Sequence, residues 1–295
     1  MSDVLAGLQQ LLIEPLVSMG FMRRALTGCV ALSLSCAPVG VFLLLRRMSL
    51  MGDAMAHAIL PGAAVGYFLV GLSLPAMTLG GAAAALLVAL GSGLVARNTV
   101  LREDASLAAF YLLSLALGIM IVSVRGSSVD LLHVLFGGVL ALDDATLNLL
   151  IAIAIVTLLT LAAAYRLLIL ECLDAQFLQS VGASNAVTHG IFPVLVVLNL
   201  VAGFHALGTL MAVGIMVLPA ATARLWARSV PQLLVIAALS AAAACVIGLL
   251  TSYHIDCPTS AAIILTLGVF YMVSLIIAPQ GAWRLHRRHR AHLER

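Results

Sequence analysis

The sequence contains no lysine; all 15 of its basic side chains are arginine. A Walker A loop, G-x-x-x-x-G-K-[ST], uses its lysine on the nucleotide phosphates, so this chain cannot hydrolyse ATP by that route. ATP-driven work would need a separate subunit. Charge of either sign is scarce: 9% of residues are charged, against about 25% in a soluble domain. The motif H-E-x-x-H is missing too, which removes the usual metalloprotease arrangement of two zinc ligands and a base. The five cysteines form no C-x-x-C pair and lie mostly in apolar runs, so they read as small buried hydrophobes. The N-terminus lacks the basic start, short apolar core and small-residue cleavage site of a removable signal.

What is present is hydrocarbon. Hydrophobic residues make up 63% of the chain, and the mean hydropathy is +1.17. Apolar runs of about 20 residues recur along the whole length, which is the length of a membrane-crossing helix and not of a barrel strand. The expected fold class is all-α: a polytopic membrane protein of eight or nine spans in one domain, residues 1–295. The runs fall near 20–45, 52–70, 75–96, 105–123, 146–167, 186–203, 206–227, 231–252 and 259–279. Residues 1–19 form a mixed lead-in, and residues 131–142 make an apolar piece too short to cross, read as interfacial or re-entrant. Residues 170–185 read as a polar excursion with a short helix at 173–181 ending at Gly182. Residues 283–295 are a basic, histidine-bearing tail.

With nine spans, Arg46, Arg47, Arg97, Arg102, Arg166, Arg224, Arg228 and the tail share one side, which the positive-inside rule makes cytoplasmic. Arg23, Arg24 and Arg125 are the exceptions. Nine spans put the N-terminus outside, whereas eight would leave its side open.

Within the second run stands Gly52-Asp53-Ala54-Met55-Ala56-His57. A carboxylate and an imidazole four residues apart share one helix face, about one turn apart. Ionisable groups inside a membrane segment are costly and mark functional sites. Together they suit a divalent ion such as zinc, manganese or iron(II), with zinc preferred for its affinity for imidazole. Counted from Arg47 along an unbroken helix, His57 would sit about 15 Å deep. Two donors leave a site of about four incomplete. Water, a second copy of the chain or other residues must supply the rest, and an incomplete site suits an ion in transit.

The stretch Arg46-Arg47-Met48-Ser49-Leu50-Met51-Gly52-Asp53-Ala54-Met55-Ala56-His57-Ala58-Ile59-Leu60-Pro61-Gly62 closely resembles the signature of the zinc/manganese/iron permease family of bacterial ABC importers. Three further pieces resemble it in the same order: Arg102-Glu103-Asp104-Ala105, Gly208-Thr209-Leu210 through Pro219-Ala220-Ala221-Thr222-Ala223-Arg224, and Pro258-Thr259-Ser260. The resemblance implies a homodimeric permease of the bacterial inner membrane with no permanently bound cofactor. It implies an ATPase subunit on the cytoplasmic face of each copy, and a periplasmic or surface-anchored metal-binding protein that delivers the ion. It makes Asp53 and His57 the intramembrane metal ligands and residues 172–184 the helix that couples to the ATPase.

Other candidates carry less. His254, Asp256 and Cys257 cluster in an outward loop, and His133 and His205 fall near the same face. His189 reads as interfacial, and His286, His289 and His292 lie among arginines that suit anionic lipid better than a cation. A secondary transporter driven by protons or sodium is the competing function. Such folds often repeat their broken helices, and no second Asp-x-x-x-His element accompanies this one.

Overall fold

The computed structural model describes residues 19–71, 73–125, 142–173 and 185–280. Among them it forms nine helices and no strand: α1 (Gly20–Leu45), α2 (Met51–Val70), α3 (Leu74–Asn98), α4 (Glu103–Arg125), α5 (Asp144–Leu173), α6 (Asn185–Leu207), α7 (Thr209–Trp226), α8 (Val230–Ile255) and α9 (Thr259–Ile277). Eight are long and apolar enough to cross a membrane. The other, α6, has an apolar stretch at Gly190–Phe204. Its Phe192, Leu195, Val196, Leu200 and Leu207 are buried inside the bundle. This is the all-helical, many-span architecture that the apolar runs announce. The lead-in, the re-entrant piece up to residue 141, most of the coupling segment (174–184) and the basic tail lie outside the described residues.

The bundle is built around α1. Its Ala25, Cys29, Leu32, Cys36, Val39 and Phe42 are essentially inaccessible, and α5, α6, α7 and α8 pack against it. Lipid tails are as apolar as leucine, so such helices associate through close packing of small residues rather than through water exclusion. Gly40 of α1 lies so near α7 that a Cβ there would overlap the Met216 carbonyl. Gly62 of α2 and Gly80 of α3 also approach each other closely, so that a Cβ on either would overlap the other's carbonyl oxygen. The outer faces of α3, α4, α5 and α9 show Leu79, Leu87, Leu113, Leu159 and Leu265 to the surroundings. In water such surfaces would aggregate; in a bilayer they meet their natural solvent.

Polar side chains link helices inside the bundle. The Asn199 amide of α6 donates to Thr157 Oγ1 of α5 at 2.9 Å and to the Leu195 carbonyl at 2.8 Å, while the Cys36 thiol of α1 donates to its oxygen at 3.7 Å. Both ends are pinned. At the end holding the α1 N-terminus, Arg24 reaches Asp144 at 3.1 Å and the Ser260 hydroxyl donates to the Leu207 carbonyl at 2.9 Å. At the opposite end, the Trp226 indole donates to Ser274 Oγ at 2.9 Å and the Ser106 hydroxyl to the Ser92 carbonyl at 2.8 Å.

Asp143 starts α5 by accepting the Thr146 N–H at 3.1 Å. Hydrogen bonding to Thr146 holds its carboxyl below the usual carboxylate range. A depressed carboxyl contributes stability at neutral pH that fades on acidification.

Three boundaries differ from expectation. The α6–α7 break comes at Gly208, not at Phe204-His205, because Gly208 takes φ 87, a conformation costly for any residue with a Cβ. Helix α5 runs for 30 residues to Leu173, past the expected polar break at Leu170. At about 1.5 Å per residue that is about 45 Å, longer than the hydrocarbon core of about 30 Å. The third is the corner between α1 and α2.

Candidate metal pathway on the open face of helix α2

Helix α1 closes with a paired cap. The Met48 N–H donates to the Leu43 carbonyl at 2.9 Å and the Arg47 N–H to the Leu44 carbonyl at 3.1 Å. This two-bond pattern places the intervening residue in the left-handed region, normally a glycine. Here it is Arg47, with φ 60, at a cost on the order of 1 kcal/mol. The chain then turns, and α2 begins only at Met51. His57 therefore lies six residues into its helix, about 9 Å along the axis, so the estimate of 15 Å from a continuous helix is too deep.

Asp53 stands in the first turn of α2, where the helix N-terminus favours negative charge. His57 follows one turn on. Their neighbours Gly52, Ala54, Met55, Ala56, Ala58 and Ile59 are buried, but the two side chains look outward, with 62% of Asp53 and 45% of His57 exposed. Asp53 Oδ1 and His57 Nε2 are 3.6 Å apart, beyond hydrogen-bond length. Metal–oxygen and metal–nitrogen bonds near 2.1 Å put two ligands of a tetrahedral centre about 3.4 Å apart. The pair thus has nearly the spacing of adjacent ligands before any ion arrives. Pro61, one turn further, has no N–H to give the His57 carbonyl, its partner in a regular helix.

The ring of Tyr111 on α4 stacks beside the His57 imidazole, centroids 6.2 Å apart and planes 27° apart. Sequence reasoning missed Tyr111, since one aromatic in an apolar run gives no signal of its own. It also missed a buried ion pair. Arg46, the capping residue of α1, donates through Nη2 to Glu171 Oε2 near the end of α5, with side-chain exposures of 9% and 5%. The Arg46 guanidinium carbon lies 4.2 Å from the centre of the Phe192 ring on α6. These groups line a cavity of about 590 Å³ with Met51, Ser92, Leu107 and Cys172. A scarce acid and a scarce arginine in an apolar sequence were the available clue, though nothing in sequence order joins positions 125 residues apart.

The remaining candidates do not gather. His254 and Asp256 are exposed at the α8–α9 turn, where Asp256 takes φ 54, and Cys257 is half-buried beside them. Among the described residues no three histidine, cysteine or acidic side chains converge on a metal-sized site. His205 and His189 fall within α6, and Arg102 and Asp104 are exposed at the start of α4. His133, His286, His289 and His292 lie outside the described residues.

The geometry gives two outward-facing donors near one end of a membrane bundle. The same chain is similar to known proteins over nearly its full length. The sequence pattern of the ABC 3 transport family matches residues 18–278. The manganese import system permease protein ScaB of Streptococcus parasanguinis is 33% identical over 275 residues, 93% of this chain and 96% of that one. The chelated iron transport system membrane protein YfeD of Yersinia pestis is 30% identical over 256 residues, 87% and 85% of the two chains. The solved structure of PsaBC from Streptococcus pneumoniae in complex with Fab superposes with a TM-score of 0.79 and 30% identity, covering 97% of this chain and 99% of that one.

Proposed function

The chain belongs to the ABC 3 transport family, and from that premise we propose that it is the membrane-spanning permease subunit of an ATP-driven importer of manganese. The relatives named above are described as carrying manganese or chelated iron. The sequence-based preference for zinc rested on the imidazole alone. Asp53 adds a hard carboxylate, and carboxylate and water ligands suit manganese. Iron(II) fits the same donors.

The observation that carries this reading is the spacing of Asp53 and His57 on the open face of α2. Two protein donors hold a divalent ion weakly, as transit requires. A second copy facing the first across the pathway would bring two more, with water filling the remaining positions of the octahedral shell that manganese favours. The chain acts as a homodimer in a bacterial cytoplasmic membrane. A separate ATPase docks on the arginine-rich end of each copy, at residues 172–184, and a metal-binding protein delivers the ion outside. ATP turnover in the partners alternates which end of the pathway is open. Asp53 and His57 hold the ion between those states, and this chain makes and breaks no covalent bond.

Elemental analysis of cells deleted for this chain tests the assignment. Cell manganese should fall several-fold on manganese-poor medium and return when the gene is restored. A fall in zinc alone would move the assignment to zinc, and unchanged content of all three metals would reject an import role.

A further inference from the structure

We propose that Arg46 is a positioning residue that ties the ATPase-facing end of the bundle to the helix carrying Asp53 and His57. The inference rests on the permease reading above, and the geometry adds the route.

Arg46 occupies the α1–α2 corner. The paired cap that spans it and the Met51 N–H to Met48 carbonyl bond at 2.9 Å make that corner stiff. Its side chain leaves the corner and grips two other helix ends. The guanidinium pairs with Glu171, two residues before α5 finishes at Leu173, and lies over the ring of Phe192, early in α6. The chain between those two helices is the segment expected to meet the ATPase. One buried cation therefore fastens both flanks of that segment to the start of α2, seven residues before Asp53. Displacement of α5 or α6 at this end must drag the corner or break the pair.

Two features make the contact suited to switching rather than to static packing. The ion pair is largely withdrawn from solvent among mostly apolar side chains, where a charge that loses its partner is disfavoured, so the contact is either made or exchanged for another. Arg46 Nε is buried with no hydrogen-bond partner among the described residues, and the side chain borders the 590 Å³ cavity. There is space on one side for the guanidinium to move when α5 and α6 shift. Arginine fits this role better than lysine, because its planar group both pairs with a carboxylate and stacks on a ring.

The test uses the complete complex, with its ATPase and metal-binding protein, in proteoliposomes. Manganese taken up per ATP hydrolysed is measured for Arg46→Gln, Glu171→Gln, Arg46→Lys and the exchange Arg46→Glu with Glu171→Arg. Arg46→Gln and Glu171→Gln should hydrolyse ATP within about two-fold of wild type yet import at least ten-fold less manganese per ATP. Arg46→Lys should fall between, and the exchange should recover most of the ratio. If Arg46→Gln fails to assemble, Phe192→Leu keeps the ion pair and removes only the ring, and a lowered ratio is again expected. An unchanged ratio in the single variants or in Phe192→Leu, or uptake and hydrolysis falling in proportion, overturns the proposal. Wild-type complex that imports no manganese would instead defeat the permease reading itself, so the two failures are distinct.

Discussion

Replacing Asp53 or His57 with alanine is expected to abolish manganese uptake by the reconstituted complex while leaving its assembly and ATPase docking intact. Both side chains face outward, so truncating them opens no cavity in the bundle. Changes at exposed positions generally alter stability by less than about 0.5 kcal/mol. In the proposed pathway the ion, by contrast, would lose one of the two donors proposed for each copy. Loss of a group that merely supports a metal ligand weakens binding by about 10- to 100-fold, and loss of the ligand itself should exceed that. Uptake from vesicles measured with radioactive manganese, beside size-exclusion profiles of the purified variants, separates loss of transport from loss of fold. Wild-type uptake by both variants would remove the pair from the pathway.

Gly40→Ala is expected to be the most damaging added methyl among the described glycines. A Cβ at Gly40 would occupy the Met216 carbonyl, and that obstacle is backbone, which no rotamer change can move aside. Overpacking a rigid interior commonly costs about 1–3 kcal/mol, and more where the neighbour cannot yield. Helix α1 would have to separate from α7 at the centre of the bundle. The displacement would reach the site, because Met216 and Val213 of α7 also lie within 4 Å of where a Cβ on Gly52, the residue before Asp53, would sit. The variant should give markedly less monodisperse protein in detergent and a lower unfolding temperature. Gly268→Ala on α9, which meets no atom within 4 Å, should match wild type. Equal stability of the two variants would show that α1 and α7 do not pack as closely as described.

The sequence made some of this legible and hid the rest for physical reasons. The helices of the described residues were visible because each rests on a long apolar run, which loops lack. Asp53 and His57 stood out as candidates because ionisable groups inside an apolar run are so costly. The end of α5 was not: Glu171 and Cys172 look like the start of a loop until Arg46 is seen to neutralise the acid. The break at Gly208 was hidden because glycine is common inside packed membrane helices, and only its φ sets it apart. The α1–α2 corner concealed itself further, since the left-handed position that glycine normally marks is held by Arg47.

The most direct test is anomalous diffraction at the manganese absorption edge from crystals of the assembled transporter loaded with manganese. A peak within about 2.2 Å of Asp53 Oδ1 and His57 Nε2, lying between two copies of the chain, is the predicted result. Manganese bound elsewhere in the membrane region, with both side chains turned toward lipid, would contradict it.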